Sequence, residues 1–428
     1  MRFCMVTVVY LGFAIVGATL AMAEEAHLDD LPVVSDFDLA ALESSLGADN
    51  LKHGGGACGC GKSCGKGGRG CSSWYAGGWL NGGVMVNFTN NDTSRNDPTP
   101  FSNPAAEFLA NQAWLYFGKK ADNGGCGWAL GGRVDVMFGA DGPDTQAFGD
   151  GGWDFGWNSG GEYGTAIPQI YGELAYNDLS IKIGHFYTIL GYEVVQAPQN
   201  FFYSHSYAMT YGEPFTHTGL LAEHVYDDAT TLWGGFTFGW DTGFDNLGDA
   251  YTLLGGARRQ VSDNVTATYA LTLGRYGNGI GASGNLGDIY SHSLVLDVEL
   301  TDRLNYVFVH DLSINYALGG PAGNAEWYGV SSYLLYTIND CWKAGLRIEW
   351  FDDADGLRIS TVNDGLNDLH YWGATVGLNW TPRENITVRP EFRFDWATSH
   401  SDMDFNDVYI NNTKDNIDLF ALDVIWTF

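Results

Sequence analysis

The sequence predicts an all-β chain: a transmembrane antiparallel β-barrel of about sixteen strands. Three observations predict it. Glycine supplies 58 of 428 residues and aromatics 14 %, while Asp, Glu, Lys and Arg together reach only 17 %, against about 25 % in soluble domains. From Ser73 onward, segments alternate apolar and polar residues, the period-2 mark of a strand with two unlike faces. The connections between those segments alternate short and long, the even-numbered up-and-down pattern of an outer-membrane barrel.

Charge and composition narrow the function. Lys plus Arg is 21, Asp plus Glu is 51, and the net charge is −30. Phosphate binding needs a basic stripe, so nucleic acid is excluded as a partner. The 15 Trp, 23 Tyr and 24 Phe exclude a disordered chain.

The elements follow in order. Residues 1–23 read as a signal peptide: Arg2, an uncharged apolar run from Val6 to Leu20, and Ala21-Met22-Ala23 as cleavage site. The run is shorter than the roughly 20 residues of a spanning helix. Residues 24–52 are acidic and carry one short helical pattern. Ser35 is its cap, Leu39, Leu42 and Leu46 share a face, and Gly47 ends it. A segment this short is marginal alone and reads as a tether, with a docking helix or plug as the other reading.

Residues 53–73 form a Gly-rich spacer with Cys58, Cys60, Cys64 and Cys71. The string from Gly56 to Ser63 matches a phosphate loop, but no strand precedes it and no helix can follow it. The Cys spacing is not a usual zinc-finger spacing, so disulfides are the default in an oxidising compartment and metal the weaker alternative. Cys126 and Cys341 fall in predicted turns without an assignable partner.

The strand segments are 74–90, 108–120, 126–139, 166–177, 179–188, 215–227, 229–241, 250–261, 264–277, 288–301, 304–317, 325–339, 341–353, 367–381, 385–398 and 414–428. Tight turns such as Asn177-Asp178, Asp227-Asp228 and Asn339-Asp340 join alternate pairs. Phase separates a membrane barrel from a soluble sandwich. Ile386, Val388, Phe392, Phe394 and Trp396 share one face, opposite Thr387, Arg389, Glu391, Arg393 and Asp395. Trp342, Leu346, Ile348 and Trp350 likewise oppose Lys343, Arg347 and Glu349. Trp342 and Trp350 are eight residues apart, as are Trp372 and Trp380, roughly 26 Å along a strand. That spans a lipid-facing band with an aromatic girdle at each edge. Phe420, Leu422, Val424, Trp426 and Phe428 form the lipid face of the last strand. An amphipathic strand ending in Phe428 resembles the signal read by outer-membrane assembly machinery.

Sixteen strands enclose a lumen too wide for side chains to fill. Its expected wall carries Arg133, Lys182, Arg258, Lys343, Arg347, Arg389 and Arg393. It also carries Asp135, Glu173, Asp297, Glu299, Glu349, Glu391, Asp395 and Asp423. A wall of both signs favours a wet channel over a single-sign filter. Surplus acid sits in the long loops: Asp141, Asp144, Asp150, Asp154 and Glu162 in 140–165, and Asp352, Asp353, Asp355, Asp364 and Asp368 around 354–366. Such a rim concentrates cations. Asp353-Ala354-Asp355-Gly356 reads as a plain turn. Loop 189–214 is unlike the others, with Tyr203, His205 and Tyr207 among many aromatics. It runs through Glu213, Pro214, Phe215, Thr216, His217, Thr218 and Gly219 into the next strand. That content suits a loop folded into the lumen as a constriction, or one packed against its neighbours.

These strings carry a resemblance. Phe201-Phe202-Tyr203-Ser204-His205-Ser206-Tyr207, the run from Pro214 to Gly219, Asn111 to Tyr116 and Gly131 to Asp141 resemble the OmpL-like β-barrel porins of type 2. The resemblance covers 74–428, the barrel, and leaves out the Cys-rich spacer. It implies an outer-membrane porin of a diderm bacterium and supplies no catalytic residue or cofactor. The expected function is passive diffusion of small hydrophilic solutes or ions, with cations preferred. Expected partners are outer-membrane lipid, the assembly machinery and, by analogy with channels of this size, two further copies in a homo-trimer. The alternatives are a non-conducting anchor or adhesin and, less well supported, an outer-membrane enzyme, for which no nucleophile and base pair stands out.

Overall fold

The computed structural model describes residues 74–89, 96, 101, 105–124, 126–148, 153–159, 161–245, 250–276, 287–316, 324–359, 369–399 and 416–428. The signal peptide, the acidic segment and the Cys-rich spacer lie outside the described residues. So do Asp150, Asp364 and Asp368.

Seventeen strands follow one another: β1 (Trp74–Asn87), β2 (Phe108–Lys119), β3 (Trp128–Gly139), β4 (Asn158–Ser159), β5 (Tyr163–Tyr176), β6 (Leu179–Tyr187), β7 (Thr216–Asp227), β8 (Thr230–Thr237), β9 (Tyr251–Ser262), β10 (Val265–Arg275), β11 (Asp288–Thr301), β12 (Leu304–Tyr316), β13 (Asn324–Asn339), β14 (Trp342–Asp353), β15 (Leu369–Arg383), β16 (Ile386–Ser399) and β17 (Asn416–Thr427). Sixteen of them pair antiparallel with their sequence neighbours, and β17 returns to β1 from Trp79↔Thr427 to Asn87↔Leu419. The sheet is therefore closed and has no edge to satisfy in lipid. The seventeenth, β4, is a two-residue strand pairing only with β5 inside a long loop. Among the described residues no helix is long and apolar enough to cross a membrane.

The sixteen expected segments are the sixteen barrel strands, with shifted ends. β5 begins at Tyr163 because β4 extends its ladder. β8 stops at Thr237, short of the expected 241, because Gly239 and Asp241 adopt positive φ of 115° and 50° that a ladder cannot continue. The expected faces hold. On β16, Phe392, Phe394 and Trp396 are 46 %, 45 % and 39 % exposed, alternating with Arg393 and Asp395 at 0 % and 1 %. Trp342 lies across from Trp380, and Trp350 across from Trp372, which in turn faces Trp396. The eight-residue spacing thus builds two aromatic bands, one at each rim.

Candidate functional site

Eight barrel strands set the charged wall, and period-2 alternation turns its residues inward. On β14 and β16 the inward side chains are Arg347, Glu349, Arg389, Glu391, Arg393 and Asp395, all 2 % exposed or less. Asp423 of β17 receives Arg389 Nε at 2.9 Å and Nη2 at 2.5 Å, and Asn81 of β1 donates to it at 2.6 Å. Arg393 pairs with Asp395 at 2.7 Å and with Glu349 at 3.2 Å, and Arg347 reaches the same Glu349 at 3.2 Å. Burying a charge is costly unless it is paired and hydrogen-bonded, so these ions hold one another in place.

The connection 188–215, between β6 and β7, lies against this wall. Its backbone carbonyls meet the arginines. Arg389 Nη1 donates to Ala197, Asn200 and Phe202 at 3.1, 2.7 and 2.9 Å. Arg347 Nη1 donates to Ser204 at 2.7 Å and Arg393 Nη1 to His205 at 2.5 Å. Its backbone amides meet the acids. Tyr203 and Ser204 donate to Glu391 at 2.8 and 3.1 Å, and Tyr207 to Glu349 at 2.6 Å. The Tyr207 hydroxyl donates to Asp395 at 2.9 Å and that of Tyr203 to Asn111 of β2 at 2.9 Å. Arg347 lies over the Phe202 ring and Arg393 over Tyr207, at 5.1 and 5.0 Å, where the ring faces attract a cation. Glycine makes room: a Cβ at Gly345 would sit 2.3 Å from the Phe201 ring and one at Gly329 2.8 Å from Ala208 Cβ.

Glu193, on the loop itself, completes the network by accepting from Arg347 at 2.8 Å and from the Tyr333 hydroxyl at 3.0 Å. Burial pushes its carboxyl up, but Arg347 and His205 outweigh that and hold it well below the usual carboxylate range. The composition of the loop does not single this residue out among its acids. Gln112 of β2 lies in the string from Asn111 to Tyr116, which did not show its contact with the loop; it donates to Val195 O at 2.7 Å and accepts from the Ala197 amide at 3.1 Å.

The string from Glu213 to Gly219 divides by role. Glu213 is buried against Gly191, where a Cβ would fall 1.8 Å from its carboxylate. His217 meets the Gly239 carbonyl and the Thr188 hydroxyl at 3.1 Å each, and Thr218 meets His185 and the Thr242 carbonyl at 2.8 Å each. Thr216 donates its amide to Asp241 at 2.9 Å. Gly219 leaves no space for a Cβ, which would stand 2.2 Å from Phe236 O. These groups fasten the base of the loop to its neighbours, and only Phe215 looks onto the open mouth.

The other wall residues form a second zone. Arg133 grips Asp135 at 2.6 Å, and Trp114 donates to the same carboxylate at 3.0 Å. Glu173 lies opposite Lys182 in the β5–β6 register. Arg258, Asp297, Glu299 and Lys343 sit on the inward face toward the short turns, less buried than the ions against the loop. Cys126 is disulfide-bonded, and Cys341 is free and exposed in the β13–β14 turn. Asp353 accepts the amides of Leu357, Arg358 and Ile359 at 3.0, 2.9 and 2.7 Å, a plain turn as expected. Among the described residues no cluster of His, Cys, Asp and Glu is arranged as a metal site; Cys58, Cys60, Cys64 and Cys71 lie outside them.

This geometry has solved relatives in fold. The outer membrane channel DcaP of Acinetobacter baumannii is similar at TM-score 0.56 and 12 % identity, over 83 % of this chain and 97 % of that one. An anion-selective porin from Comamonas acidovorans gives 0.57 and 10 %, over 83 % and 100 %. The trimer form of OmpT from Vibrio cholerae gives 0.55 and 12 %, over 84 % and 100 %. No curated protein sequence matches the chain. The family model Putative beta-barrel porin-2, OmpL-like, matches residues 73–428, so the closed barrel with its charged lumen belongs to that family of outer-membrane porins.

Proposed function

We propose that this porin is a passive diffusion channel for small hydrophilic solutes that prefers cations, with loop 188–215 as its constriction. The observation that supports the constriction is the set of loop carbonyls held by Arg347, Arg389 and Arg393. A loop fixed at that many points narrows the lumen by a constant amount. The arginines favour no anion conduction, because each already faces a carboxylate. Acid at the long-loop rim, including Asp144, Asp154, Glu162, Asp241 and Asp245, then sets the field at the mouth. The trimeric form of one fold relative supports a homo-trimer.

Liposome swelling with sugars of graded size tests diffusion: small sugars enter and large ones do not. Deleting 196–210 should raise single-channel conductance, and unchanged conductance would sink the constriction. Reversal potentials in planar bilayers should show potassium permeating better than chloride; the opposite order sinks the cation preference. The density of contacts between loop and wall favours one rival, a closed barrel serving as an anchor, in which no sugar enters.

A further inference from the structure

At the long-loop mouth, above the constriction, lies a cavity of about 210 Å³ that simple diffusion does not use. We propose that it is a binding site for a neutral monosaccharide in its ring form. The proposal deepens the channel reading and rests on it. Every apolar side chain lining the cavity is an aromatic ring: Phe101, Phe148, Tyr211 and Phe215. An aliphatic wall would suit an alkyl chain. Ring faces are electron-rich, so they attract the weakly positive C–H face of a pyranose.

The polar lining carries both signs. Arg358 is held in place: its Nη1 donates to the Tyr276 hydroxyl at 2.6 Å, its Nε to the Tyr211 carbonyl, and Trp240 and Trp327 flank it at 5.4 Å each. Among the described residues no hydrogen bond uses its Nη2. Asp241 accepts the amides of Phe215 and Thr216 through one oxygen, at 2.6 and 2.9 Å, and Asp144 is exposed at the rim. An anion placed here faces two carboxylates, and a cation faces a guanidinium. A hydroxyl group both donates and accepts, so a neutral polyol satisfies both kinds of partner. The cavity is open on one side and has room for one sugar ring.

The test is intrinsic tryptophan fluorescence of the purified full chain in detergent, since Trp240 and Trp327 border Arg358. D-glucose should give a saturable change. Glucuronate, which keeps the ring and carries a carboxylate, and sorbitol, which has no ring face, should bind at least about tenfold more weakly. Phe148→Leu and, separately, Tyr211→Leu keep apolar bulk and remove a stacking face; each should weaken glucose binding by about tenfold. No saturable change with glucose overturns the site, as does equal binding of glucuronate or sorbitol, or unchanged binding in both variants. The readout is independent of permeation. Swelling without glucose binding therefore overturns the site alone, and glucose binding without swelling overturns the diffusion reading alone.

Discussion

Arg389 shows what a single residue does in this lumen. Itself 2 % exposed, it neutralises Asp423 and collects three loop carbonyls. Arg389→Gln leaves Asp423 buried without its ion partner and releases the loop carbonyls together. Breaking a buried pair costs about 3–5 kcal/mol, so the barrel should unfold at lower urea and the channel should become noisier. A variant as stable and as quiet as the parent would refute this role. The inward direction of Arg389 was legible in sequence, because a strand's period of 2 places it opposite Val388 and Phe392. Its partners were not. Glu193 and Arg347 stand 154 positions apart, and Tyr207 and Asp395 stand 188 apart. No local pattern encodes such a pairing; only closure of the sheet brings these residues together.

The long loops are elements with their own acid chemistry. Asp154 accepts the amides of Ala147 and Ile167 at 3.0 and 2.8 Å, and burial pushes its carboxyl up to about 6. Burial likewise pushes Asp241 up to about 6, despite the Thr216 and Phe215 amides and Arg358. A raised folded value means the neutral form suits the folded loop. The stabilisation is fully present below the usual carboxylate value and is lost as pH rises through about 6. Two outcomes follow on acidification from pH 7 to 5. Potassium preference should fall, since the mouth loses charge before ordinary aspartates titrate. The amides of Ala147 and Ile167 should become better protected from hydrogen exchange, after correction for intrinsic rates. Asp241→Asn should lower potassium preference at pH 7 and flatten its pH dependence; an unchanged profile would count against Asp241 as a determinant. The acidity of these loops was legible by composition, whereas their fastening was not. The string from Pro214 to Gly219 stood out in sequence without showing that its threonines and His217 hold a loop base.

For the whole molecule, closure and orientation are one question. The last residue completes the seam: Phe428 donates its amide to the Gly78 carbonyl at 2.9 Å, and its own oxygen accepts the Gly78 amide at 3.0 Å. Both chain ends of the barrel therefore lie on the rim of the short turns. Long loops collect most of the surplus acid of the barrel, which the count of −30 alone could not place. The short-turn rim should face the periplasm, as in other outer-membrane barrels. Cys341 tests this directly, because it is free, exposed and sits in the β13–β14 turn. A membrane-impermeant maleimide should label it only after the outer membrane is permeabilised. Cys341→Ser should abolish that increment and leave labelling of any other cysteine untouched. Labelling of Cys341 in intact cells would invert the barrel, placing the acidic loops and the sugar-sized cavity on the periplasmic side. Neither would then meet a solute arriving from outside, so the field at the mouth would act on exit instead of entry.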